Sequence, residues 1–225
     1  MAERHFYALD FDRCLGDTDK LMSMFEVSSA ELSHVSRNDL RQAREAEEAK
    51  GLSFDAVAYV RQVIGEDYQH FDKLIEYFCQ QARLNDMLMA GARRLLSGLV
   101  ARGDNFGIVT YGSQDWQSIK IKASNLESYP VFITENRLKG QVIAGWQDSD
   151  EGIALPHELA KDSGFIDTLT LIDDKPISFA DLPEWADGIY VQSSRYAGNS
   201  IDNQRVIWAD DLDEVCNTIG LLQVP

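Results

Sequence analysis

Asp10 and Asp12 stand one residue apart at the end of a short apolar run, Phe6-Tyr7-Ala8-Leu9, with Gly16 and the polar turn Asp17-Thr18-Asp19 close behind. Such a run reads as a buried strand that delivers acid to its carboxyl edge, which in open α/β sheets is where ligands bind. Residues 10 and 12 share a side of the strand unless the chain curls at once. Two carboxylates that close repel unless a cation or a shared proton separates them, and a metal is the economical answer. Asp-x-Asp is also an ordinary turn former or helix cap, so the pair gains weight only from the rest of the chain.

Two more apolar runs end in a comparable way. Phe106-Gly107-Ile108-Val109-Thr110 ends in a hydroxyl and turns through Tyr111-Gly112. Thr168-Leu169-Thr170-Leu171-Ile172 is followed directly by Asp173-Asp174-Lys175-Pro176. Further strands are predicted at 131–134, 188–191 and 205–208.

Helices are predicted between these strands. Ser28-x-x-Glu31 has the form of a capping box and predicts a helix from there to Lys50, ended by Gly51. Ser53 is placed to cap the next, with Val57, Val60, Val63 and Ile64 on one face. Tyr68, Phe71, Leu74, Ile75 and Phe78 give a third its apolar stripe. Residues 91–102, 114–124, 155–163 and 211–222 complete the helices, while Lys139-Gly140 falls in a polar loop. Alternation of this kind implies an α/β fold, a Rossmann-like parallel sheet in a three-layer α/β/α core. The expected division is a core of 1–18 and 89–225 with an inserted helical cap of 19–88.

Taken together, the three strand ends resemble the haloacid dehalogenase superfamily of aspartate-nucleophile phosphohydrolases, over nearly the whole length and including the helical insertion. The resemblance implies that Asp10 is a nucleophile forming an aspartyl phosphate and Asp12 a general acid and base, the two roles such chemistry needs. It implies that Thr110 bonds phosphoryl oxygens, and that Asp10, the Asp12 carbonyl, Asp173 and Asp174 hold magnesium, a cation that prefers hard oxygen ligands. The family's lysine falls on Lys139 or on Lys161, with Lys139 preferred. Tyr111, Gly112 and Arg13 join Thr110 and Lys139 as candidate substrate contacts. The chain departs from the common Asp-Gly-Thr pattern at Arg13-Cys14, where Cys14 reads as a packing residue, and again at Tyr111-Gly112 and after Asp174.

The resemblance implies magnesium-dependent hydrolysis of a small phosphomonoester. Asp12 favours it over halide removal, because dehalogenases of the family lack that second acid. Phosphoryl transfer to a second substrate shares every core residue, and a non-catalytic binding protein of the same fold is the alternative of a different class.

Composition narrows the partners. A formal charge of −16 leaves no basic surface for non-specific nucleic-acid binding. Cys14, Cys79 and Cys216 are widely spaced and odd in number, which fits a reducing, cytoplasmic setting. No stretch approaches the roughly 18 apolar residues of a membrane span. His5, His34, His70 and His157 form no evident zinc cluster. Lys120 and Lys122 read as surface residues, and Arg37, Arg41, Arg44 and Lys50 as a solvated face of the insertion.

Overall fold

Four runs buried at most positions, the pattern of strands covered on both faces, form the centre of a six-stranded parallel sheet with a less buried strand at each edge. The structure, a computed structural model, describes residues 3–221 apart from 34, 51–52, 66, 147, 151, 161–163, 197–200 and 202. It divides into two units, Met1–Leu15 with Leu88–Tyr111 and Ser128–Pro225, and Gly16–Met87 with Gly112–Glu127.

In the first unit, β1 (His5–Leu9) is central, flanked by β2 (Asn105–Tyr111) on one side and β7 (Thr168–Asp173) on the other. β3 (Val131–Thr134) closes the β2 edge, while β8 (Ala186–Val191) and β9 (Val206–Ala209) extend the β7 side. Every pairing is parallel. This is a Rossmann-like α/β arrangement. Phe6, Ala8, Val109, Leu169, Leu171 and Tyr190 share one core with Ile143, Leu159 and Phe179, as the two-residue side-chain period requires. Helix α5 (Ala92–Arg102) packs against α8 (Leu212–Thr218), which also touches β8 and β9.

A second, three-stranded antiparallel sheet, β4 (Asp148–Ser149), β5 (Gly152–Ala154) and β6 (Phe165–Ile166), flanks the segment where a helix over 155–163 is expected. Residues 157–159 form a turn instead, with Leu159 buried. Residues 161–163 lie outside the described residues, as do Gly51 and Leu222, the expected ends of two helices. Lys139-Gly140 is not a loop but the start of α7 (Lys139–Ala144).

The second unit contains α1 (Thr18–Leu32), α2 (Arg37–Glu48), α3 (Ala56–Ile64), α4 (Tyr68–Arg83) and α6 (Gln114–Ala123). The helix expected from Ser28 is two helices. Ser28 and Ser29 are buried inside α1, whose cap is Asp17, accepting from the Lys20 N–H; Ser36 caps α2 through the Asp39 N–H. Asp55 rather than Ser53 caps α3. Residues 112–127, which the sequence places with the α/β portion, cluster with these helices. Trp116 explains it: its ring lies 4.9 Å from Phe25 and 6.1 Å from Phe78, which are 5.2 Å from each other. Lys120, expected at the surface, is buried with Nζ over the Trp116 ring, whereas Lys122 is exposed. Arg37 and Arg41 are exposed, Lys50 pairs with Glu47, and Arg44 is half-buried near Glu26.

Candidate active site

Strand register brings the acids together. Leu9 of β1 lies level with Ile172 of β7, so Asp10 and Asp173, each one residue further on, emerge side by side at the carboxyl edge. The Asp10 N–H donates to the Ile172 carbonyl at 2.9 Å, extending the pairing by one residue. The chain then curls: the Cys14 and Leu15 N–H groups donate back to the Phe11 and Asp10 carbonyls. Arg13 takes a left-handed conformation with φ 63° inside this curl, a geometry that glycine adopts without strain and other residues seldom do.

Lys139 is delivered by α7. Its neighbour Gly140 lies so close to the Ala180 carbonyl that a Cβ would collide with it, and this approach seats the start of α7 against the segment that follows β7. Lys139 Nζ donates to Asp10 Oδ1 and, at 2.6 Å, to Asp173 Oδ2. All three side chains are 1% exposed or less, which places the pairs among buried rather than surface ion pairs. Asp173 Oδ1 accepts the Lys175 backbone N–H at 2.8 Å. The Lys175 ammonium itself stands 3.7 Å from Asp10 Oδ2 and 3.9 Å from Asp174 Oδ1.

Burial pushes the Asp10 carboxyl above the ordinary range, with Asp173 adding to the shift and Lys139 and Lys175 opposing it. Asp174 is pushed up to about 8, first by burial and then by Asp10. Burial works against the Lys139 ammonium, yet Asp10 and Asp173 outweigh it and its pKa rises. Lys175 rises for the same reason. Burial raises the Cys14 thiol well above its usual value, and Asp10 adds to this, so the group stays protonated and packs beneath the curl.

Asp10, Asp173 and Asp174 can each present an oxygen within 4.8 Å of the others. Asp10 Oδ2 and both oxygens of Asp174 are buried without a hydrogen-bond partner. Buried carboxylate oxygens left in this state are costly, and an all-oxygen set of this kind suits a hard divalent cation such as magnesium. The Asp12 carboxylate is buried but is not one of the three. Thr110, on β2 beside β1, is fully buried with its hydroxyl likewise unpartnered. Tyr111, half-buried, ends β2. Gly112 belongs to the helical unit, and its φ of 149° and the Gln117 side chain against it account for the missing Cβ.

Of the two candidate lysines, Lys139 stands at the carboxylates and Lys161 lies outside the described residues. Lys175 was not singled out by sequence reasoning, although its place directly after two acids at a strand tip was the available signal. The described histidines stand apart from the cluster. His5 is held between the Thr168 and Thr170 hydroxyls, His70 bonds the Leu32 carbonyl, His157 is exposed, and His34 lies outside the described residues. The three cysteines are buried and unpaired.

No protein-family model and no curated protein matches the chain. Solved structures do. A haloacid dehalogenase-like hydrolase from Burkholderia xenovorans superposes with a TM-score of 0.60 at 16% identity, covering 96% of each chain. CbbY from Rhodobacter sphaeroides, in complex with phosphate, gives 0.52 at 13% over 96% of each. The HAD-hydrolase YfnB from Bacillus subtilis, bound to magnesium, gives 0.51 at 14%, covering 98% of this chain and all of that one. At these identities the likeness is one of architecture.

Proposed function

On a chain with the haloacid dehalogenase-like fold, we propose magnesium-dependent hydrolysis of a small phosphomonoester through a phosphoryl group carried on Asp10. The observation that carries this reading is the state of the Asp10 carboxylate: Oδ1 is tied to Lys139, whereas Oδ2 is buried and makes no hydrogen bond, with the Lys175 ammonium 3.7 Å away. A carboxylate held by one oxygen is positioned to act without reorganising, which is what nucleophilic catalysis requires.

In the proposed reaction an Asp10 oxygen attacks phosphorus and the ester P–O bond breaks. Asp12 gives its proton to the departing alcohol oxygen. Asp12 then takes a proton from water, whose oxygen attacks the phosphorus of the acyl phosphate; phosphate leaves and the Asp10 carboxylate is restored. Thr110 supports the reading because its buried hydroxyl has no partner within the protein and is free to donate to a phosphoryl oxygen. Lys139 offsets charge on Asp10 and on the phosphoryl group. Asp10, Asp173 and Asp174, with the Asp12 carbonyl, would hold magnesium, which when bound supplies positive charge against the phosphoryl oxygens. Arg13, in the curl after β1, and Tyr111, at the end of β2, are the proposed substrate contacts.

Asp12 favours phosphoester over halide chemistry, since halide displacement has no alcohol oxygen to protonate. The acidic chain suits a small substrate better than a polyanion. Among the described residues no helix is long and apolar enough to cross a membrane. Three buried, unpaired thiols support a reducing, cytoplasmic setting. The test is turnover of an aryl phosphate and a panel of phosphorylated metabolites with magnesium. Hydrolysis that stops on chelation and in Asp10→Asn is expected; activity surviving in Asp10→Asn contradicts the assignment, and transfer of the phosphoryl group without release of phosphate replaces hydrolase by phosphotransferase.

A further inference from the structure

Two ammonium groups reach the acidic cluster, and they are held in different ways. Lys139 is committed, with hydrogen bonds to Asp10 and Asp173 and a side chain 1% exposed. Lys175 is not. Its backbone N–H is fixed on Asp173 Oδ1, and its side chain folds back over the acids so that Nζ lies 3.7 Å from Asp10 Oδ2 and 3.9 Å from Asp174 Oδ1. Both separations exceed hydrogen-bond length. The oxygens it faces belong to the buried set that accepts no hydrogen bond. Lys175 therefore supplies charge to the cluster without occupying any oxygen, and its side chain, 20% exposed, keeps a way out toward solvent.

The oxygens Lys175 faces are among those a divalent cation needs. An ammonium and a divalent ion cannot both sit against Asp10 Oδ2 and Asp174 Oδ1, because like charges a few ångströms apart repel even in a strongly screening medium. Without either cation, Asp10, Asp173 and Asp174 share the single charge of Lys139 in a buried space, which carboxylates resist.

We propose that Lys175 is a tethered counter-cation that holds the Asp10 and Asp174 carboxylates together in the metal-free protein and yields its place to the divalent ion, so that Lys175 sets the affinity for the metal. The proposal rests on the magnesium reading of the site. It assigns Lys175 a role in cation exchange and leaves the neutralisation of Asp10 and Asp173 to Lys139.

The test is calorimetric titration of the full chain with magnesium chloride, without substrate, alongside thermal melts with and without the ion. Lys175→Met is expected to melt lower than wild type without metal, to gain more from magnesium, and to bind it about tenfold tighter or more, the ratio expected on removing a unit charge about 5 Å from a divalent ion under near-aqueous screening. Lys175→Arg, which keeps the charge, is expected to bind magnesium as wild type does. Asp174→Asn is expected to lose binding, which locates the titrated site. Equal or weaker affinity in Lys175→Met overturns the proposal and leaves the magnesium reading standing. Absence of binding in wild type and in Lys175→Met overturns the magnesium reading itself. Should Lys175→Met not fold alone, folding in millimolar magnesium is the predicted result, and failure in magnesium as well contradicts the exchange.

Discussion

Lys139 Nζ lies 2.6 Å from Asp173 Oδ2, a bond between α7 and the tip of β7 that is closed to solvent at both ends. Since the same ammonium holds Asp10, its removal leaves two buried carboxylates without their hydrogen-bonded cation. Breaking a buried pair from one side costs about 3–5 kcal/mol. Lys139→Met is expected to lose stability on that scale in denaturant titration and to lose turnover. A loss under about 1 kcal/mol would show that Asp10 and Asp173 do not depend on Lys139.

Thr110 makes the opposite prediction. Its hydroxyl is buried and unpartnered, so Thr110→Val, nearly equal in size, is expected to leave stability unchanged within about 1 kcal/mol, or to raise it. Activity is expected to fall by about 100-fold or more if the hydroxyl donates to phosphoryl oxygen as the reaction proceeds. Full activity in a folded Thr110→Val protein removes the hydroxyl from the chemistry.

Arg13 carries φ 63° where glycine has no penalty. Left-handed backbone costs an ordinary residue roughly 1–2 kcal/mol, partly offset by the greater freedom glycine has when unfolded. Arg13→Gly is expected to be at least as stable as wild type and to raise the KM for an anionic substrate. A clear drop in melting temperature would mean that the Arg13 side chain stabilises the fold by more than its backbone costs.

His5 gives a pH dependence away from the acids. Burial lowers its pKa, with Arg102 contributing and Glu3, Asp104 and Asp187 opposing, while its ring bonds to Thr168 and Thr170 across the β1–β7 pairing. The unfolded chain takes up the proton more readily, so this contribution to stability is whole above about pH 6.5 and declines as pH falls through the lowered folded-state value. Denaturant titrations at a series of pH values are expected to show a shallower acid decline in His5→Gln than in wild type. Parallel curves would place the acid sensitivity elsewhere.

The sheet and the acidic tips were legible because buried strands leave unbroken apolar runs, and because three such runs end in an acid or a hydroxyl, a recurrence that a lone turn former or helix cap does not explain. Lys139 was reachable only as one of two candidates, since α7 is short and its placement depends on Gly140 meeting Ala180, a contact invisible along the chain. The small sheet was missed because strands of two or three residues carry no readable period. Ser28-x-x-Glu31 misled for a physical reason: the serine hydroxyl competes for a cap only at a free helix end, and Asp17 had already started the helix upstream. Lys120 looked solvated by type, but an ammonium over the Trp116 ring is stabilised where an isolated one would not be.

The central claim, that Asp10 itself carries the phosphoryl group, is tested most directly by mass spectrometry of a rapidly acid-quenched reaction with an activated aryl phosphate and magnesium. A phosphoryl adduct mapped to the peptide containing Asp10, absent in Asp10→Asn and lost on a chase before quenching, is the predicted result. Turnover with no adduct at any quench time, or an adduct on another residue, would contradict it.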